Sequence, residues 1–128
     1  ISRLPPGFRA RAVHRLAITG YCWGGTVAWM AAAKTKGLAC AVPFYGGGIY
    51  DFINEKPNVP TMCHFGEEDK GIPVEKVKQV AVAHPEVIVH LYPGAGHGFN
   101  CDERGSYNPE ASKLARQRTL EFLKKHIG

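Results

Sequence analysis

The stretch that decides the fold is Gly20-Tyr21-Cys22-Trp23-Gly24-Gly25. It follows a strand-like run, Leu16 to Thr19, and precedes a helix-like run that begins at Thr26. A strand, a Gly-x-nucleophile-x-Gly turn and a helix in this order push the middle side chain out above a sheet. We expect Gly20 to let the strand end close under the turn, and Gly24 to let the helix start close above it.

Cys22 occupies the middle of this turn, so its sulfur is expected at the N-terminus of the following helix. Backbone N–H groups and the helix dipole favour an anion there. They therefore favour the thiolate, which is the reactive form of cysteine. The alternative is a buried structural thiol, but a cysteine that only packs does not need glycines on both sides.

Length and composition indicate one soluble globular domain. The chain has 128 residues, a hydrophobic fraction of 45%, a charged fraction of 21% and a net charge of +5. No run approaches the roughly 18 apolar residues that span a membrane, so we expect no membrane partner. The basic residues are spread along the chain without a binding motif, which argues against nucleic acid. Residues 1–15 show no period and are expected to be a poorly ordered N-terminal arm, with the domain at 16–128.

The remaining sequence alternates strands with helices, which predicts a three-layer α/β fold with a mostly parallel four-stranded sheet and flanking helices. Pro43 is awkward inside its strand because it cannot donate to the ladder, so we expect a strand end or a bulge there. The predicted strands are 16–19, 39–45, 61–66 and 87–92. The first predicted helix is 26–36, the second starts at Pro73 and stops before Pro85, and the last runs from Pro109 to the end of the chain.

Two loops that follow later strands supply partners for Cys22. A cysteine nucleophile needs a base, and the base needs a group that orients it. His97 lies between glycines in the loop after the fourth strand, where packing gives it no purpose, and is the candidate base. Asp69 follows the third strand and is the candidate acid, favoured over Glu67 and Glu68 by its position between Gly66 and Pro73.

Three segments together resemble the dienelactone hydrolase family, the carboxymethylenebutenolidases of the α/β-hydrolase superfamily. They are Gly20 to Gly25, Gly66-x-x-Asp69 with Pro73 beyond it, and Tyr92 to Phe99. The stretch with Arg104, Tyr107 and Ala111 also matches. The resemblance covers about residues 16–127 and implies the C-terminal half of that fold, a truncated α/β-hydrolase.

The resemblance implies a Cys22–His97–Asp69 triad that hydrolyses a carboxylic ester or lactone of a small molecule, with the backbone N–H of Trp23 in the oxyanion hole. Tyr45 ends the second strand and is a candidate substrate contact. The family's domain is nearly twice as long, and its N-terminal half supplies strands and a second oxyanion donor. Some members carry an arginine where this chain has Cys101, a difference that argues against a dienelactone-type anionic substrate.

Four further expectations follow. Neither a metal nor a cofactor is expected, because no further ligands fall near His97 and Cys101. Buried Cys40 and Cys63, and the lack of metal-spaced or C-x-x-C cysteines, favour a reducing cytoplasm. The first strand should be an open sheet edge, covered by self-association, as in a homo-oligomer, or by the N-terminal arm.

Two other functions compete with the hydrolase. One is a catalytically inactive fragment that serves as a structural or interaction half-domain. The other is a thiol redox protein, which is weakened because no resolving cysteine is close in sequence, although Cys101 could approach Cys22 in space.

Overall fold

Parallel strands in sequence order form the centre of the protein. The computed structural model describes residues 16–101 and 107–128; the expected arm at 1–15 and Arg104 lie outside that part. The strands pair in the order β1-β2-β3-β4, and each pair is parallel. The elements are β1 (Leu16–Tyr21), α1 (Trp23–Lys34), β2 (Leu38–Phe44), a 3-10 helix (Tyr50–Phe52), β3 (Met62–Gly66), α2 (Val74–Ala83), β4 (Ile88–Tyr92) and α3 (Pro109–Ile127).

Helices cover the two faces of the sheet, which confirms the predicted three-layer α/β architecture. Alternate residues of β3 show this, because successive side chains of a strand point to opposite faces. Phe65 packs with residues of α2. His64, one residue before it, hydrogen-bonds Thr119 of α3 at 2.9 Å and the Tyr92 hydroxyl at 2.7 Å. Within residues 16–101 and 107–128, no helix combines the length and apolarity needed to cross a membrane.

Two boundaries around the first turn differ from the prediction. β1 continues to Tyr21, and α1 begins at Trp23 rather than Thr26, so a single residue, Cys22, separates strand from helix. The helix can start early because the glycines at 24 and 25 take helical conformation and the Cys22 carbonyl accepts the N–H of Gly25. At its other end α1 stops at Lys34, two residues before the predicted end, and its C-cap is Thr35.

Pro43 lies inside β2 rather than at its end, and the sheet adapts to it. The N–H groups of Ala41 and Tyr45 donate across to Pro60 and His64, at 3.0 and 2.6 Å. The backbone nitrogen of residue 43 points to the same side as those of residues 41 and 45, toward β3, because backbone N–H groups alternate sides along a strand. It has no N–H to donate, so the regular β2–β3 pairing is confined to Phe44 opposite His64 and a bridge between Ala41 and Thr61.

Among residues 16–101 and 107–128, β1 is an edge strand of the sheet, as the sequence predicts. It pairs with β2 on one side, and its residues are exposed or half-buried along their whole length. Its apolar residues Leu16 and Tyr21 are exposed, and so are Trp23 and Val27 of the helix that follows. A parallel edge strand with apolar neighbours presents unpaired backbone groups that another strand can meet.

Candidate functional site

Cys22 is held in a strained backbone conformation between β1 and α1. Its φ of 57° and ψ of −121° lie outside the regions that non-glycine residues usually occupy. Two hydrogen bonds hold it there: its N–H donates to the Phe44 carbonyl at 3.1 Å, and its carbonyl accepts from Gly25 at 2.9 Å. Strain of this kind persists only where the surrounding structure enforces it, and it concentrates at functional sites.

The glycine that makes the turn possible is Gly20, and the part predicted for Gly24 is wrong. A Cβ on Gly20 would collide with the carbonyl oxygen of Gly24, so the end of the strand must pass directly under the first turn of the helix. A Cβ on Gly24 would meet nothing. The close contact between the start of α1 and the end of β2 involves Gly25, because a Cβ there would collide with the Phe44 carbonyl oxygen.

Trp23 is the first residue of α1. The N–H groups at the start of a helix have no carbonyl one turn earlier to accept them, so they are available to an outside acceptor. The Trp23 N–H directly follows Cys22 and belongs to this set. The indole is 74% exposed and takes no part in the core.

His97 and Asp69 form the most definite polar contact of the site. Nδ1 of His97 lies 2.7 Å from Oδ2 of Asp69. The Asp69 side chain is 1% exposed and that of His97 is 37% exposed, so a buried carboxylate supports an imidazole that solvent reaches. The other carboxylate oxygen of Asp69 accepts the N–H of Gly71 at 2.9 Å, which fixes the orientation of the carboxylate.

Backbone hydrogen bonds join the two loops that carry these side chains. The N–H of Glu67 donates to the Tyr92 carbonyl and that of Glu68 to the Ala95 carbonyl, both at 2.9 Å. Glu67 and Glu68, the alternatives to Asp69, therefore join the two loops through their backbone N–H groups, and both residues are exposed to solvent. Asp69, one position on, is the carboxylate that contacts the histidine.

Tyr45 lies at the end of β2 and touches the same site. It is buried, its φ is 37°, and its ring meets the His97 ring edge-on with the centroids 5.3 Å apart. Burial chiefly raises the pKa of Tyr45, and the nearby charges of Cys22, Tyr21 and Cys101 raise it further. The hydroxyl therefore stays protonated at neutral pH and can donate a hydrogen bond.

A cavity of about 310 Å³ opens on Cys22. Sequence reasoning named Cys22 and Tyr45 for this site but did not name Asn100 as a site residue, and it treated Cys101 as a position that differs from the family. Their positions three and four residues after His97 are the signal that could have identified them. The lining residues are Tyr21, Cys22, Tyr45, Asn100 and Cys101.

The remaining cysteines contrast with the two in this cavity. Cys40 and Cys63 are fully buried, as predicted, and burial raises the pKa of each thiol. All four cysteines are free thiols. In the part of the chain that the structure describes, no three His, Cys, Asp or Glu side chains cluster closely enough to hold a metal ion.

Comparison with solved structures defines the class of fold. A crystal structure from Klebsiella pneumoniae, titled "Putative Dienelactone Hydrolase", superposes with a TM-score of 0.82 and 32% identity, covering 92% of this chain and 56% of the other. A Pyrococcus furiosus esterase superposes with a TM-score of 0.71, covering 89% of this chain and 55% of the other; at 17% identity it shows the fold alone. The protein thus has about half of an α/β-hydrolase fold.

Sequence comparison identifies the family. The sequence model of the Dienelactone hydrolase family matches residues 7–127, and the chain belongs to that family. It is 39% identical over 132 aligned positions to a protein of Escherichia coli (strain K12) named "Putative carboxymethylenebutenolidase". The match covers 91% of this chain and 48% of that one, so this chain spans about half the length of the curated relatives it matches.

Replacing Gly20 and Gly24 separately tests the architecture of the turn. We expect Gly20→Ala to lower the free energy of unfolding by about 1–3 kcal/mol, because the added Cβ collides with backbone. Gly24→Ala is the matched control. It should be neutral or stabilise by up to about 1 kcal/mol, because it replaces glycine in a helix where the Cβ meets nothing. Urea unfolding of the three proteins measures both effects, and equal losses in the two variants would contradict this account of the turn.

Proposed function

We propose that this chain carries the catalytic triad of a hydrolase that cleaves carboxylic ester or lactone bonds, with Cys22 as nucleophile, His97 as base and Asp69 as the group that orients the base. The observation that carries the proposal is the 2.7 Å contact between His97 and the buried Asp69. Tyr45 connects this pair to the cysteine, because its ring contacts His97 and it lines the same cavity as Cys22. Membership of the dienelactone hydrolase family supports the reaction class.

In the first step His97 takes the proton of Cys22. Asp69 accepts the Nδ1–H of His97, which leaves Nε2 as the basic nitrogen and stabilises the imidazolium that forms. The N-terminus of α1 stabilises the thiolate. Tyr45 contacts the imidazole edge-on and lines the cavity on Cys22, so it connects the base to the nucleophile's cavity.

In the second step the thiolate attacks the carbonyl carbon of the substrate. Negative charge develops on the carbonyl oxygen, and the backbone N–H of Trp23 donates to it. The alcohol leaves with the proton held by His97, and an acyl group remains on Cys22. Water then attacks the acyl carbon, with His97 as the base, and releases the acid.

The substrate side of the cavity is supplied by Tyr21, Tyr45 and Asn100. Cys101 stands where some family members carry an arginine, so this position offers no cation to a substrate carboxylate. We infer a preference for small uncharged esters or lactones over dienelactone-type anions. The hydrolase proposal requires no cofactor, no nucleic acid and no membrane partner. The free cysteines support a reducing, cytoplasmic setting.

Covalent labelling by p-nitrophenyl acetate tests the triad. We expect an initial burst of one equivalent of p-nitrophenol, followed by slower release, and one acetyl group on Cys22, located by peptide mass spectrometry. His97→Gln should slow acetylation roughly 10²-fold or more, because a general base contributes about that much. Asp69→Asn should also slow it, because the histidine loses the group that fixes its tautomer.

Glu68→Gln is the matched control for Asp69→Asn. It removes a carboxylate one residue away whose residue is exposed, and should leave the acetylation rate unchanged. If Cys22 is not acetylated in the unsubstituted protein, or if His97→Gln reacts at the same rate, the hydrolase proposal fails. The alternative, an inactive half-domain that acts through its exposed edge, would then be favoured.

Turnover by this chain alone should be slow. In the family the second oxyanion donor belongs to the N-terminal half of the domain, and loss of one such donor costs about 10²–10³ in rate. Steady-state hydrolysis of p-nitrophenyl acetate, compared with a full-length family member at equal concentration, measures this. Equal turnover numbers would show that the half-domain is not impaired.

Self-association should cover the open edge of the sheet. Among the described residues β1 has a strand neighbour on one side only, and its apolar residues Leu16 and Tyr21 are exposed. We expect light scattering to show a dimer or larger species, and Thr19→Pro in β1 to shift it toward monomer because proline removes a backbone donor. A monodisperse monomer at high concentration would contradict self-association.

A further inference from the structure

Two thiols share the cavity at the proposed nucleophile. Cys22 and Cys101 both line the 310 Å³ cavity, and both are half-buried. They belong to different parts of the chain: Cys22 follows β1, and Cys101 comes directly after the turn that contains His97. We propose that they form a peroxide-sensitive thiol pair, in which oxidised Cys22 is captured by Cys101 as an intrachain disulfide.

The cavity gives the two sulfurs a common neighbour. The oxygen of Tyr45 experiences the charges of both Cys22 and Cys101, in a site where burial is the larger influence on the pKa of Tyr45. The turn that holds Cys101 is closed by a 2.9 Å hydrogen bond from its N–H to the Gly98 carbonyl. Because Cys22 and Cys101 line one open cavity, we infer that their sulfurs can approach each other through it.

The first step takes place at Cys22 and rests on the proposed function, which makes this the reactive thiol. The Cys22 thiolate attacks one oxygen of hydrogen peroxide; an S–O bond forms, the O–O bond breaks and hydroxide leaves. Sulfur loses two electrons and the peroxide gains them. The product is a sulfenic acid on Cys22.

The second step consumes the sulfenic acid. The Cys101 sulfur attacks the Cys22 sulfur; the S–S bond forms, the S–O bond breaks, and the oxygen leaves as water with the proton of Cys101. The sum is two thiols and one hydrogen peroxide giving one disulfide and two waters. A dithiol reverses it by thiol–disulfide exchange.

The disulfide would switch the site off reversibly. With its sulfur bonded to Cys101, Cys22 can neither attack a carbonyl nor be oxidised further to the irreversible sulfinic and sulfonic acids. Cys40 and Cys63 lie outside this chemistry, because both are completely buried and burial disfavours their thiolates. Cys40 and Cys63 therefore serve as an internal control for the oxidation of Cys22 and Cys101.

The experiment treats the unsubstituted protein, Cys101→Ser and Cys40→Ala with hydrogen peroxide, blocks free thiols by alkylation, and maps the peptides by mass spectrometry. We expect a peptide pair linked through residues 22 and 101 in the unsubstituted protein and in Cys40→Ala. Dithiothreitol should restore both thiols. Cys101→Ser should lose the linked pair completely and accumulate sulfenic acid, trapped by dimedone, and then sulfinic acid at Cys22.

Three outcomes would overturn the proposal: sulfinic acid at Cys22 accumulating equally with and without Cys101, a disulfide that links two chains on a non-reducing gel, or no oxidation of Cys22. Acetylation of the reduced protein by p-nitrophenyl acetate, run in parallel, separates this result from the fate of the proposed function. A disulfide without acetylation would support the thiol pair and contradict the hydrolase proposal. Acetylation without the disulfide would support the hydrolase proposal and contradict the thiol pair.

Discussion

The close passage of Gly20 beneath the carbonyl of Gly24 is the constraint on which the site depends. No room exists for a side chain at that point, so the chain must turn from strand to helix within one residue. That residue, Cys22, takes a backbone conformation that cysteine rarely adopts. The result is a cysteine that directly precedes the first residue of a helix, Trp23, and lines a cavity.

The parallel sheet then brings the other groups to the same edge. Because all four strands run in one direction, the residues that follow them gather at their carboxyl ends. Cys22 follows β1, Tyr45 follows β2, and the loops after β3 and β4 bring Asp69 and His97 into contact. Two backbone hydrogen bonds between those loops set their spacing, so the geometry of the pair depends on main-chain structure as much as on the two side chains.

The sequence predicted the fold class, the parallel sheet and the open edge at the first strand, because apolar runs and turn residues alternate clearly. It was wrong about Gly24, since a glycine pattern does not reveal which glycine is crowded from outside the turn. It also did not predict how the sheet accommodates Pro43, which depends on the direction of backbone donors. Asn100 was missed although it lies three residues after His97, because its place in the cavity depends on the path of the turn between them.

The central claim is that the cysteine at the turn is an activated nucleophile served by His97. The most direct measurement is the rate at which iodoacetamide alkylates each cysteine near neutral pH, followed residue by residue by mass spectrometry. The account predicts that Cys22 reacts far faster than free cysteine, that His97→Gln removes most of this advantage, and that Cys40 and Cys63 do not react in the folded protein. A Cys22 that reacts no faster than free cysteine, with or without His97, would contradict it.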